Sequence, residues 1–233
     1  MRGLFVTGTD TGIGKTTICT GLLQFLHSKK LDAGVMKPFA TSERIFSHKF
    51  RSEDSYRLAL AAGNESSDKQ INPFFYKIPT SPLIASRITH QKLPSLNHAV
   101  AKVLEESKRH QYMIIEGIGG IMVPITRRYT IAAFAKQLGL PVVVVASAKL
   151  GTLNHILLTL EVCSNYNLNV VAIIINMMPR RPEEPQRLLV STVRTLTGIK
   201  ATFAVPESDS QPDPKSIGSI LNKKWQILNS FRI

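Results

Sequence analysis

The segment Gly8-Thr9-Asp10-Thr11-Gly12-Ile13-Gly14-Lys15-Thr16 constrains the fold of this chain more than any other stretch. It fits the pattern G-x-x-x-x-G-K-[S/T], with Gly8, Gly14, Lys15 and Thr16 at the set positions. A short apolar run, Arg2–Thr7, leads into it, and the helical spacing of Ile18, Leu22, Phe25 and Leu26 follows. Glycines at such a strand–turn–helix junction let backbone N–H groups converge on phosphate oxygens, and the helix start adds partial positive charge. In that setting Lys15 neutralises the β- and γ-phosphates of a nucleotide, and the Thr16 hydroxyl ligates Mg2+.

The rest of the chain repeats the alternation. Ala33–Met36, Met113–Glu116, Pro141–Ala146, Val170–Ile175 and Thr202–Val205 read as strands, several of them continuous apolar runs. Between them, Tyr56–Ala62, Leu96–Lys108, Ile131–Gln137 and Leu188–Leu196 carry helical patterns, and Leu153, Ile156, Leu157, Leu160 and Cys163 mark one helical face. Pro79–Pro82 reads as a turn before a short helix, Thr80 and Ser81 being ordinary caps ahead of a proline. This pattern predicts an α/β fold, a mostly parallel sheet covered by helices on both faces. No linker or repeat divides the chain, so residues 1–233 are expected to form one domain. Ser208–Pro214 reads as a loop and Ile217–Ile233 as a peripheral helix.

Charge and composition narrow the partners. The chain has 29 Lys+Arg against 16 Asp+Glu, a formal charge of +13. These basic residues are scattered or paired, as in Lys29-Lys30 and Arg127-Arg128, without a stripe interleaved with aromatics. A solvated basic surface explains them better than a nucleic-acid footprint, and the field also favours small anions. A hydrophobic fraction of 43% excludes disorder over the bulk of the chain. The longest apolar runs, Val142–Ala146 and Val170–Ile175, fall far short of the roughly 20 residues that span a bilayer, so no membrane partner is expected. Arg2 is followed by too short an apolar stretch for a secretory signal. Cys19 and Cys163 make neither a disulfide framework nor a zinc site and read as buried, reduced thiols of a cytoplasmic protein.

Further chemistry gathers at predicted strand ends. Glu116 closes the run Tyr112–Glu116, where a carboxylate lies near the phosphate loop and suits Mg2+; Gly117, Gly119 and Gly120 let the backbone pass close to a ligand. Lys37 ends the second run and either aims a second ammonium at the transferred phosphate or is simply solvated. No N/T-K-x-D guanine motif follows the later strands. Asn176 is a candidate adenine reader, since one amide both donates and accepts, or else it satisfies a turn. The helix start at Gly151–Asn154 offers free N–H groups to a carboxylate, with Thr152 and Asn154 as plain caps the alternative. Spacing says nothing about Asp54.

Together, the segments FVTGTDTGIGKT (Phe5–Thr16), KPFATS (Lys37–Ser42), Asp54, PTSP (Pro79–Pro82), EGIGG (Glu116–Gly120), KLGTLNH (Lys149–His155) and Asn176 resemble the dethiobiotin synthetases, a family of P-loop ATPases. The resemblance implies the P-loop NTPase architecture and ATP-dependent closure of a cyclic urea from 7,8-diaminononanoate and CO2 (or bicarbonate), through a carbamate and a carbamic–phosphoric anhydride. It implies Mg2+ bound by Thr16, Asp54 and Glu116, and a catalytic set of Lys37, Lys15 and Thr11. It places the nucleotide against Gly12, Ile13, Gly14, Lys15, Thr16 and Thr17, and against Glu116, Gly117, Ile118 and Gly119, with adenine held by Asn176, Met177, Val205, Pro206 and Glu207. Thr41 would touch the diamine or carbamate end. The substrate carboxylate would sit at Gly151, Thr152, Leu153 and Asn154 of a partner subunit, which implies a homodimer with shared sites. The chain departs from the family at Gly12, where some members carry glutamate, and at Thr41, where serine is commoner. Two other classes stay open at this level. One is a ParA/MinD-like positioning ATPase, although Asp10 and Thr11 stand where such proteins carry an extra lysine. The other is a different amide-forming P-loop enzyme of cofactor synthesis.

Overall fold

The computed structural model describes residues 1–63, 66–207 and 217–219. Strand β1 (Gly3–Gly8) feeds helix α1 (Lys15–Ser28), and β2 (Ala33–Met36) and β3 (Phe39–Thr41) follow. Helices α2 (Glu53–Ala61) and α3 (Asp68–Ile71) lead to β4 (Phe74–Tyr76), α4 (Pro82–Thr89) and α5 (Leu96–Glu106). The second half alternates strictly: β5 (Tyr112–Gly120), α6 (Ile131–Leu138), β6 (Val142–Ser147), α7 (Thr152–Asn165), β7 (Val170–Met178), α8 (Glu184–Thr197) and β8 (Thr202–Pro206).

Six strands form one sheet in the order β2-β5-β1-β6-β7-β8, with every neighbouring pair parallel. Parallel strands need a crossover between them, and the helices that make the crossovers cover both faces. Alternate side chains of β1 therefore enter different cores. Leu4 and Val6 pack with Ile18, Leu22 and Leu26 of α1 and with Ile114, Val143 and Val145. Phe5 packs on the opposite face with Phe134 of α6 and with Met113, Ile115 and Val144. Burial on both faces is why these strands read as unbroken apolar runs rather than as alternation.

Several boundaries differ from the sequence reading. Helix α2 begins at Glu53, not Tyr56, because the Ser52 side chain accepts from the Ser55 N–H at 3.1 Å and starts the helix on a polar turn. Helix α5 stops at Glu106, and Ser107–Arg109 form a 3-10 turn. Strand β5 continues through the glycines to Gly120, and β7 runs past Asn176 to Met178. A second, two-stranded parallel sheet, β3 with β4, had no periodic signal: each strand has three residues, paired Phe39 to Phe74 and Thr41 to Tyr76. The basic stretch before α2 is tied down by aromatic contacts of Phe46 and Phe50 with Tyr56, and by Arg51, which pairs with Asp68 at 2.5 Å. The expected cap holds at α4, where Ser81 accepts from Ile84 N–H and Pro82 occupies the first turn.

The expected loop Ser208–Pro214 lies outside the described residues, as does most of the expected tail helix. Residues 217–219 are described and helical, and Ile217 is fully buried. It lies so close over Gly21 that a Cβ there would come within 2.3 Å of its side chain, so α1 must carry glycine at this point. Cys19 and Cys163 are both buried and unbridged. Among the described residues, no helix is long and apolar enough to cross a membrane.

Candidate active site

All six strands of the main sheet deliver their carboxyl ends to one edge, and β1, the third in order, has neighbours on both sides. The phosphate loop leaves β1 there. Thr9 N–H is held by Val145 O of β6 at 2.9 Å, and Thr11 N–H by the Asp10 carboxylate at 2.6 Å. Gly14 caps α1 with φ +85°, a left-handed conformation that glycine adopts at no steric cost. Lys15 Nζ lies within the loop, donating to Asp10 O at 2.7 Å.

Beneath the loop, side chains from four elements meet. The Thr16 hydroxyl is 2.8 Å from Glu116 Oε1 and 3.0 Å from Asp54 Oδ1, so its single proton is shared between two acceptors. Lys37 Nζ donates to the same Glu116 oxygen at 2.7 Å and also to Asp54 Oδ2. Asn72 holds the Lys37 carbonyl at 2.7 Å, which fixes the end of β2. Lys37 and Glu116 are 7% and 1% exposed, a depth at which unpaired charges would be untenable. The pairing decides the states of Lys37 and Asp54. Burial works against the Lys37 ammonium, but Glu116 and Asp54 outweigh it and push its pKa above the ordinary lysine value. Burial also works against the Asp54 carboxylate, yet Lys37 beside it and the hydrogen bonds from Lys37 and Thr16 hold it below its ordinary value. Lys15 behaves in the opposite way: burial and the Lys37 charge lower it to about 8.

This cluster suits Mg2+. It offers hard oxygens from a hydroxyl and two carboxylates, and Glu116 Oε2 is a buried acceptor without a hydrogen-bond partner. Among the described residues no group of three or more His, Cys, Asp or Glu could hold a metal ion. Mg2+ fits that sparseness, because it takes one or two carboxylates and draws its remaining ligands from phosphate and water.

The other predicted residues arrange around this centre. Asn176, buried at the end region of β7, donates from its amide to Ile13 O at 2.9 Å. Pro206 pairs with Met178, and Glu207 N–H binds Met178 O at 2.7 Å, so Val205–Glu207 run beside Asn176 and Met177. Gly117, Ile118 and Gly119 continue β5 beyond Glu116, and Gly119 lies against the Thr11 hydroxyl. Gly151 caps α7 without a side-chain bond, so neither Thr152 nor Asn154 caps it. Thr152 is buried, with its hydroxyl unpaired. Thr152 faces the phosphate loop across a cavity of about 160 Å3 lined also by Thr11, Gly12, Ile13 and Lys149. Thr41 ends β3, in register with Tyr76, and makes no hydrogen bond to the lysine–carboxylate cluster.

Two further side chains adjoin the site, and the sequence assigned neither of them to it. Arg57, one turn after Asp54 on α2, donates to the Thr17 hydroxyl at 3.0 Å. Only the docking of α2 on α1 brings them together, and no spacing signals that. Cys19 is fully buried one turn below Thr16; burial and the Glu116 charge push its thiol well above the usual range, which excludes a nucleophilic role.

A phosphate cradle at the carboxyl edge of a parallel sheet, with a buried lysine and two carboxylates under it, defines a P-loop nucleoside triphosphatase. Residues 2–211 match the family described as AAA domain. Over 208 residues the chain is 38% identical to the ATP-dependent dethiobiotin synthetase BioD of Nitrosopumilus maritimus, covering 88% of this chain and 89% of that one. It is 36% identical over 228 residues to the same enzyme of Anaeromyxobacter dehalogenans, covering 97% and 100%. The chain belongs to the dethiobiotin synthetase family. Among solved structures, it is similar to the MinC:MinD cell division protein complex of Aquifex aeolicus, with a TM-score of 0.56 at 12% identity over 96% of this chain and 89% of that one. It is also similar to a ParA family ATPase of Chlorobium tepidum, with a TM-score of 0.52 at 15% identity over 95% and 92%. At those identities the likeness is one of fold alone.

Proposed function

We propose that this chain is an ATP- and Mg2+-dependent ligase that closes the ureido ring of dethiobiotin from 7,8-diaminononanoate and CO2, in biotin biosynthesis. The observation that carries the reading is Lys37 clamped between Glu116 and Asp54 beside the phosphate loop, so that two ammonium groups serve one phosphoryl site. One amine of the substrate takes up CO2 and loses a proton, giving a carbamate. A carbamate oxygen attacks the γ-phosphorus, the bond to the β-phosphate oxygen breaks, and ADP leaves. The second amine then attacks the anhydride carbon, loses its proton and expels inorganic phosphate.

Both reactants of the phosphoryl step are anions, so the site must supply fixed positive charge. Lys15 would leave Asp10 O for the β- and γ-phosphate oxygens. Lys37, charged throughout, would sit between the γ-phosphate and the carbamate. Thr11 would close over the phosphates from its place beside Gly119, and Thr41 would contact the diamine or carbamate end. Mg2+ held by Thr16, Asp54 and Glu116 would draw charge from the phosphate oxygens. The paired ends of β7 and β8, with Asn176, Met177 and Val205–Glu207, would hold adenine.

The carboxylate of the diamine would be received at Gly151–Asn154 of a partner subunit, within a homodimer. Supporting this are apolar side chains around that helix: Leu150, Leu157, Leu158 and Met122 are exposed, and Leu158 and Met122 line an open cavity of about 460 Å3 that reaches Thr9 and Asp10. The direct test incubates the protein with Mg-ATP and bicarbonate, with and without 7,8-diaminononanoate, and follows ADP and the cyclic urea. ADP formed at the same rate without the diamine, and no cyclic urea with it, would sink the reading and favour a positioning ATPase.

A further inference from the structure

Asn176 holds protein groups with both its side chain and its main chain. Its side-chain amide donates to Ile13 O at 2.9 Å, across 163 positions of sequence, and the residue is 2% exposed. The contact is close-packed as well as hydrogen-bonded, for a Cβ on Gly14 would come within 2.1 Å of the same nitrogen. The Asn176 main chain binds elsewhere: its carbonyl accepts from Ala148 N–H at 3.0 Å, where β6 turns into the segment that opens α7. The strand end is itself held hard. Ser147 pairs in register with Asn176, Glu207 binds Met178 O, and Met177 between them is kept at φ +56°, which a residue with a side chain seldom adopts.

From these contacts we infer that Asn176 is a positioning residue, a joint that locks the phosphate loop to the loop opening α7. A phosphate cradle needs its N–H groups turned inward, which turns carbonyls outward, and an outward carbonyl in a buried place needs a donor. The Asn176 amide is that donor for Ile13, directly before the left-handed Gly14 from which α1 starts. Since the same residue holds Ala148, a displacement of one loop strains the other. The two anion-binding segments, Gly12–Thr16 and Gly151–Asn154, then keep a set spacing. The amide keeps a second N–H and its oxygen for a base, so this role is independent of adenine reading and of the substrate's identity.

The test uses a ligand with no base. Inorganic tripolyphosphate and ATP are titrated, each with Mg2+, against the wild-type protein, Asn176→Ala and Asn176→Asp, with melting temperatures measured alongside. Losing one buried hydrogen bond should weaken both ligands together, by on the order of tenfold in Asn176→Ala. Asn176→Asp keeps the shape but sets a carboxylate against Ile13 O, and should weaken both further. A loss confined to ATP, or no loss for either ligand, would overturn the inference. Amide hydrogen exchange keeps the question open to decision where titration signals are small. In Asn176→Asp, residues 9–16 and 147–154 should both exchange faster than in the wild type while 112–116 are unchanged. Faster exchange in only one of the two loops, or in neither, would show that no joint exists.

Discussion

Lys15 and Lys37 are both buried next to the same carboxylates, and their environments push them apart. Lys37 touches Glu116 and Asp54 and is held charged; Lys15 touches only a carbonyl, feels the Lys37 charge and drops to about 8. The consequence for pH has a definite sign. Below about pH 8 the free protein already carries the Lys15 proton, and ATP binding takes up none there. Above it, the triphosphate must first restore that proton, so affinity falls by up to about tenfold per pH unit. Calorimetry in buffers of different ionisation heat should show proton uptake on ATP binding near zero at pH 7 and rising towards one above pH 8. Uptake that does not change across this range would mean that Lys15 keeps an ordinary lysine pKa. Replacing Lys37 tests the other half. Lys37→Ala should abolish cyclic urea formation while largely keeping ATP binding, and an active variant would remove Lys37 from the proposed transfer. It also leaves Glu116 buried without its cation, a loss on the order of 3–5 kcal/mol. Mg2+ should return part of that stability, raising the melting temperature of the variant more than that of the wild type.

At the scale of elements, the site is where two helices meet a sheet edge. Helix α2 is keyed to the first turn of α1 by two side chains one turn apart, Asp54 on Thr16 and Arg57 on Thr17. Arg57 also lowers the Asp54 pKa by its charge. Arg57→Ala should therefore loosen Asp54, costing about 1–2 kcal/mol of stability. The Mg2+ concentration for half-maximal activity should rise several-fold with little change in kcat; a fall in kcat at unchanged Mg2+ dependence would refute the keying. The contrast with what could be read beforehand is physical. Gly8–Thr16 was legible because one local turn supplies the whole cradle, and Lys37 and Glu116 were legible as candidates because parallel strands share one active edge, although β5 runs on past Glu116 to Gly120. Asp54 was placed only by resemblance and Arg57 not at all, since their positions depend on how α2 docks. Strands β3 and β4 escaped notice because three residues are too few to show a period, and the start of α2 did so because its first turn, Glu53 and Asp54, is polar.

For the whole molecule, the question is whether one chain can complete the site. The open helix start at Gly151–Asn154 stands across a cavity from its own phosphate loop; exposed Leu150 precedes it, and exposed Leu157 and Leu158 follow on α7. A symmetric dimer through this apolar surface is self-complementary, so any residue one protomer lends to its partner is returned by the partner. That symmetry makes the proposed sharing measurable. Lys37→Ala disables the phosphoryl side of a site, and Asn154→Glu, an exposed change, sets a negative charge where the substrate carboxylate would bind. Each variant alone should lack ligase activity while still binding ATP. Mixed in equal amounts and allowed to exchange subunits, half the dimers carry one of each, and one of their two sites is whole. About a quarter of wild-type activity should return. If each protomer instead held a complete site of its own, every site in the mixture would carry a lesion and no activity would reappear. Recovery should vanish with Leu158→Glu in both chains, because a charge in the apolar surface separates the protomers, and sedimentation would show monomers that still bind nucleotide.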